Sequence, residues 1–181
     1  MTVFDLEQFI ADIRASLAER SRQATKEVVA RAVADPAALL RRIGEPTRAG
    51  VEVLHHAPDL TIINVIWAPK QITLAHDHHL AAVIGMYDGR EDNIFWRRVP
   101  NPAKHQIEAA GGAALGKGDV TVLGRDIIHS VVNPLARMSG AIHVYDGDFF
   151  AVQRSMWDAE TLAEQPYDVN AVIATEVRHA R

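Results

Sequence analysis

The spacing of apolar residues divides this chain into two unlike parts. Over residues 4–43 apolar positions return every three or four residues. Leu6, Ile10, Ile13 and Leu17 fall on one stripe, with Asp12, Glu19 and Arg20 on the other faces, which predicts an amphipathic helix. A second helical stretch runs from Gln23 to Ala34. Asp35 and Pro36 then read as an N-cap followed by proline in the first turn, opening a short helix through Ile43. Gly44, Pro46 and Gly50 end the helical part. From Val51 the period shortens and turn residues become frequent. Strands are expected at Leu60 to Trp67, Ile72 to His76, Leu80 to Tyr87, Asn93 to Val99, Gln106 to Ala110, Val120 to Leu123, Ile127 to Val132 and Ser139 to Tyr145. Asp88-Gly89 reads as a tight hairpin turn, since both residues tolerate positive φ. So many short, closely spaced strands favour an all-β sandwich or barrel over an α/β fold. The chain therefore divides into a helical lead (1–50) packed on a barrel (51–155) and a C-terminal extension (156–181), one domain in all. Asp158 to Glu164 reads as a short helix, and from Pro166 onward neither period is clear.

Composition narrows the function more than the fold. At 181 residues, with 48% hydrophobic and 23% charged, the chain has the make-up of an ordinary globular domain. A net charge of −4 leaves no basic footprint for nucleic acid and no polybasic segment for an anionic membrane. The first twenty residues carry Asp5, Glu7 and Asp12 and lack a long apolar run, unlike a signal peptide. No segment approaches the roughly 20 apolar residues that span a bilayer. A cytoplasmic protein is expected. With no cysteine there is neither a disulfide nor a thiolate ligand nor a thiol nucleophile, and the nine histidines become the natural pool of metal ligands.

Those histidines are not scattered evenly. His76-Asp77-His78-His79 places two imidazoles two positions apart at a strand end. Alternation lets His76 and His78 converge while Asp77 and His79 point away. A third imidazole from another strand would close one face of a metal ion and leave other positions open, as catalytic sites require. His129 stands within Gly118 to Asn133, where Gly118-Asp119 and Gly124-Arg125-Asp126 bracket strands.

These two segments resemble the paired motifs of the cupin superfamily. His76, His78 and Gly89 fit the first motif; its glutamate falls on Ala82 or Val83, and the glycine usual before the pair is Lys70. Gly118, His129 and Asn133 fit the second, with Gly124 in place of proline and Asp126 in place of glycine. The resemblance covers roughly residues 60–150. It implies a double-stranded β-helix (jelly-roll) barrel with His76, His78 and His129 as metal ligands. A three-histidine set without the glutamate is similar to that of the thiol dioxygenases, cysteine dioxygenase among them, which hold ferrous iron and oxidise a small thiol to a sulfinate. Those enzymes carry a Ser-x-His-x-Tyr run on a late strand. Here it is Ala141-Ile142-His143-Val144-Tyr145, which implies catalytic roles for Tyr145 and for His143 as the group that orients it. The resemblance implies an iron(II) dioxygenase using a small, anionic or thiol-bearing substrate and dioxygen. It also implies a homodimer, since cupins often pair and edge strands need cover. Zinc, nickel or manganese also suit three imidazoles, which keeps an isomerase, a hydrolase or a non-catalytic ligand-binding or metal-storing cupin open.

The departures concern the substrate. The arginine that clamps a carboxylate in the thiol dioxygenases has no counterpart in Val53-Leu54-His55-His56-Ala57. His55 and His56 read as solvated turn residues whose functional role would be to line the pocket mouth. In Phe95-Trp96-Arg97-Arg98 one arginine, Arg97, could face the cavity as an anion anchor. His79 reads as a surface histidine or a neighbour of the ligands, and His105 and His179 as exposed. Gly111-Gly112 leads from no strand into a helix, so a phosphate-cradling loop is not indicated.

Overall fold

A computed structural model describes residues 4–100, 106–168 and 171. His105 and His179 lie outside the described residues. Helix α1 (Leu6–Ala18) starts at Asp5, whose carboxylate accepts from the Gln8 amide, and α2 (Arg22–Ala34) starts at Ser21, which caps Ala24. Helix α3 (Pro36–Ile43) has the expected Asp35 cap and first-turn proline, and stops at Gly44 with φ 86°. The stripe of α1 is turned slightly from the sequence expectation: Phe9, Ile13 and Ser16 are buried, with Leu6, Ile10 and Leu17 at the margins of the same cluster.

Among the described residues eleven strands follow: β1 (Gly50–Ala57), β2 (Leu60–Trp67), β3 (His76–Asp77), β4 (Ala82–Asp88), β5 (Arg90–Arg98), β6 (Ile107–Gly116), β7 (Val120–Leu123), β8 (Ile128–Val132), β9 (Ser139–Tyr145), β10 (Ser155–Trp157) and β11 (Glu164–Pro166). They form two antiparallel sheets, ordered β1-β2-β9-β4-β7 and β11-β10-β3-β8-β5-β6. This is an all-β architecture of two antiparallel sheets, with short helices at its N-terminal end.

The central strands β2, β9 and β4 of the five-stranded sheet are buried on both faces. Leu60, Ile62, Val83, Tyr87, Ile142 and Val144 point outward beneath the helices, against Ile13, Val29, Val33 and Leu39. Their neighbours Ile63, Val65, Ala82, Ile84, Met86, Ala141 and Tyr145 point inward, where Leu115 and Phe95 of the other sheet meet them. A strand covered on both sides cannot alternate polar with apolar, which is why β2 and β9 read as nearly continuous apolar runs. Helix α2 lies so close that a Cβ on Gly85 would sit 2.5 Å from Val29 Cγ1 and 3.0 Å from Val33 Cγ1. Gly85→Ala is therefore expected to destabilise the fold by about 1–3 kcal/mol, the usual cost of overpacking. Urea unfolding should show it as a lower midpoint with unchanged slope.

Four local expectations are corrected. Asp88-Gly89 does turn the chain, with Gly89 at φ 77°, but β4 and β5 belong to different sheets and do not pair. The glycine is needed at a corner where a Cβ would lie 2.3 Å from Ser139 Oγ. Strand β6 does not stop at Ala110: it continues through Gly111-Gly112, past a bulge in which Ala110 is the extra residue between Ala109, opposite Trp96, and Gly111, opposite Phe95. Ile72 to His76 is mostly not a strand; only a bridge from Ile72 to Val132 and the short β3 are paired. Asp158 to Leu162 is a turn and not a helix, and Glu164 already begins β11. The Asp158 carboxylate accepts from Glu160 N, Thr161 N and Thr161 Oγ1, and Leu162 at φ 55° reverses the chain so that β11 pairs with β10. No helix among the described residues is long and apolar enough to cross a membrane.

Candidate metal centre

The six-stranded sheet brings the histidines together by register. His76 on β3 lies directly opposite His129 on β8, and Phe95 on β5 lies opposite His129 on the other side. His78 follows just past the end of β3 and keeps the alternation, so both imidazoles face inward. His79 turns at φ 50° and instead meets Asp77, with Nε2 3.3 Å from Oδ2. The rings of His76, His78 and His129 are packed with centroids 4.8–5.1 Å apart. All three are buried, and one nitrogen from each lies within 4.8 Å of the others.

Two of the nitrogens that do not converge are occupied. His76 Nδ1 lies 2.9 Å from the Leu74 carbonyl, and His129 Nδ1 lies 2.6 Å from Asn93 Oδ1. Each of these partners accepts a hydrogen bond, so each Nδ1 carries the proton and each Nε2 presents a lone pair. His129 Nε2 and His78 Nε2 are 3.2 Å apart. Two nitrogens bound at about 2.1 Å to one ion sit roughly 3 Å apart, so this spacing fits joint ligation of a divalent metal. Burial drives the His76 pKa down to about 4, with the Arg154 charge adding to it, although the Leu74 bond opposes. Burial likewise holds His78 and His129 well below the usual value, helped by the neighbouring histidines. Neutral imidazoles are what ligation requires.

A pH dependence follows. A histidine whose pKa is depressed by folding stabilises the fold above its unfolded pKa of about 6.5 and loses that contribution as the pH falls toward its folded value. Between about pH 6.5 and 4 the unfolded chain binds more protons than the metal-free protein. Each such histidine then lowers stability by up to about 1.4 kcal/mol per pH unit. Urea midpoints of the metal-free protein should fall steeply below pH 6.5, and a saturating divalent metal should blunt the fall near pH 6.

Around the imidazoles stand further groups. Tyr145 packs edge-on against His78 at 5.1 Å, and its hydroxyl is 3.1 Å from His143 Nδ1. Burial raises the pKa of Tyr145 far above the usual phenol range, which keeps the hydroxyl protonated. The guanidinium of Arg154 is sandwiched 4.0 Å over Phe149 and 4.0 Å over Tyr167. Those rings lie 5.9 Å from His78 and His76, respectively. Arg154 Nη1 is buried and has no hydrogen-bond partner among the described residues. Arg154 and Tyr167 also border an open cleft of about 860 Å³, lined by His79, Phe150 and Glu164 as well.

The other candidates fall elsewhere. Arg97 is an exposed strand-end residue paired with Glu108 at 2.8 Å, so it does not reach the cluster; Arg98 binds Glu164. His55 and His56 are on β1 and not in a turn. His55 faces α1, where Arg14 Nη2 is 3.4 Å away. Burial, and then the Arg14 charge, lower its pKa. His56 lies 2.9 Å from Asp148 and packs edge-on against Phe150, at the margin of the cleft. Sequence reasoning missed Arg154, Asn93 and Glu91. The last two could have been found, since Glu91, Asn93 and Phe95 share one face of β5 by alternation.

Fold and site together define a double-stranded β-helix carrying a buried three-histidine cluster able to hold a metal. No protein-family model matches the chain. Among solved structures it is similar to an uncharacterised double-stranded β-helix protein from Klebsiella pneumoniae, at 14% identity over 65% of this chain and 87% of the other, with a TM-score of 0.48. It is also similar to an RmlC-like cupin family protein from Methanocaldococcus jannaschii, at 9% identity over 59% and 87%, TM-score 0.48. Oxalate decarboxylase from Bacillus subtilis matches at 20% identity over 52% of this chain, TM-score 0.41, and the match spans only 22% of that enzyme.

Proposed function

We propose that the protein is an iron(II)-dependent dioxygenase that converts a small thiol bearing a carboxylate to the sulfinate. The reaction joins one thiol and one dioxygen into one sulfinic acid, so sulfur supplies the electrons and no external reductant enters. Iron held by His76, His78 and His129 would supply adjacent open positions for thiol and dioxygen. The chain's own groups do the rest. Arg154 carries the substrate assignment: a buried guanidinium nitrogen without a partner, beside the cluster, is costly unless a ligand meets it. A carboxylate is the group its planar fork fits best. Lying between Phe149 and Tyr167, the fork is held flat and loses little freedom on binding. Tyr145 stays a protonated phenol beside His78, and its hydroxyl, 3.1 Å from His143 Nδ1, is held in one direction by that ring. Phe149, packed 4.3 Å from Tyr145, keeps water from that side.

The same three nitrogens suit zinc, nickel or manganese with hydrolytic or isomerase chemistry, and a dependence on dioxygen separates the two readings. The test is an oxygen-electrode screen of the protein loaded anaerobically with each metal, across thiols with and without a carboxylate. Uptake with iron and carboxylate thiols alone is the expected result. Equal turnover without dioxygen would defeat the proposal.

A further inference from the structure

One buried charge has no part in the chemistry above. Glu91, on β5, is fully enclosed. Its carboxylate is met from three directions: Oε1 accepts from Asn93 Nδ2 at 2.9 Å, Oε2 accepts from Trp67 Nε1 at 2.8 Å, and Oε2 lies 3.8 Å from His143 Nε2. Burial alone would raise its pKa, yet His143, Asn93 and Trp67 together outweigh burial and hold it below the usual carboxylate range. The group is thus an anion in the barrel interior.

Two chains of contact leave it. Along one, Asn93 gives its NH2 to Glu91, so its carbonyl must face the other way, and that oxygen meets His129 Nδ1 at 2.6 Å. Only this amide orientation satisfies both neighbours. Along the other, His143 Nε2 has no hydrogen-bond partner among the described residues, and the Glu91 carboxylate is the acceptor paired with it, about 1 Å beyond hydrogen-bond length. Ala141, two residues before on the same face of β9, has no polar side-chain atom to offer that ring. With the proton on Nε2, toward the anion, Nδ1 is free to accept from the Tyr145 hydroxyl at 3.1 Å.

We propose that Glu91 is a positioning residue that sets the tautomers of two imidazoles at once. Through Asn93 it keeps the His129 proton on Nδ1 and leaves Nε2 for the metal. Directly, it keeps the His143 proton on Nε2 and leaves Nδ1 for Tyr145. The ligand set and the Tyr145 hydroxyl are thereby oriented by a single carboxylate. This rests on the reading of the metal centre and of Tyr145 given above.

The test reads nitrogen chemical shifts and long-range proton couplings of 15N-histidine in the full-length protein, metal-free and zinc-loaded, beside a zinc titration. The wild type is expected to show His129 protonated on Nδ1 and His143 on Nε2. Glu91→Gln, which offers one acceptor where the carboxylate offers two, is expected to disturb both tautomers and to weaken zinc binding about tenfold. Asn93→Ala is expected to weaken zinc binding similarly and leave His143 unchanged. A folded Glu91→Gln protein with both tautomers and the zinc affinity of the wild type would overturn the inference. If that variant does not fold, the wild-type spectrum decides alone: His143 protonated on Nδ1 would overturn it. None of these readouts uses turnover, so failure to consume dioxygen would refute the proposed activity and leave this inference standing.

Discussion

Replacing His129 with alanine is expected to leave the protein folded but nearly unable to hold a metal. The imidazole is the middle member of the cluster: it faces His76 across the β3–β8 pair, and its Nε2 is 3.2 Å from that of His78. Binding at structural zinc sites is worth about 10–16 kcal/mol over four ligands, so one ligand accounts for roughly 2.5–4 kcal/mol. Affinity should therefore fall on the order of 100- to 1000-fold. Because a bound metal stabilises the folded state by mass action, the variant should also lose the metal-dependent rise in melting temperature. Isothermal titration with zinc and melting curves with and without metal check both. Wild-type affinity in the variant would mean that the metal sits elsewhere.

Arg154→Met is expected to affect one class of substrate and not another. The change keeps much of the side-chain volume between Phe149 and Tyr167 and removes the charge. A hydrogen bond to a charged group is worth about 1.5–3 kcal/mol, so kcat/KM for a mercapto acid should fall roughly 10- to 150-fold. The mercapto alcohol of the same length should be nearly unaffected, and metal content should not change. Arg154→Lys should not restore the loss, because an ammonium has no planar fork to lie between two rings. Oxygen uptake against thiol concentration measures all of these. Equal losses for the acid and the alcohol would assign Arg154 to packing.

How much of this was legible beforehand depends on the range over which each feature is specified. Local chemistry was readable: the Asp35-Pro36 helix start, and the alternation that sends His76 and His78 one way and Asp77 and His79 the other, need only neighbours in sequence. The histidine of the second segment was reachable only through its resemblance to a known motif, since no local signal says that β8 pairs with β3. Asp88-Gly89 shows the limit of local reading. The turn is there, but whether it joins paired strands or crosses between sheets is decided by packing against Ser139. Arg154 stayed hidden because its segment leads into a β-turn that imitates a helix start at Asp158, and only the β10–β11 hairpin carries it and Tyr167 to the cluster. Glu91 reads in sequence as one charge in Arg90-Glu91-Asp92, and only the partners it finds in the interior make its burial tolerable.

In the proposed reaction three imidazoles support addition of both atoms of dioxygen to a thiol that carries a carboxylate. The measurement that bears on it most directly is turnover of the iron-loaded protein with a mercapto acid under 18O2, followed by mass spectrometry of the product. The expected product is a sulfinate in which both oxygens carry the label, formed only when iron and dioxygen are present. A product formed without dioxygen, or one whose oxygens come from water, would contradict it.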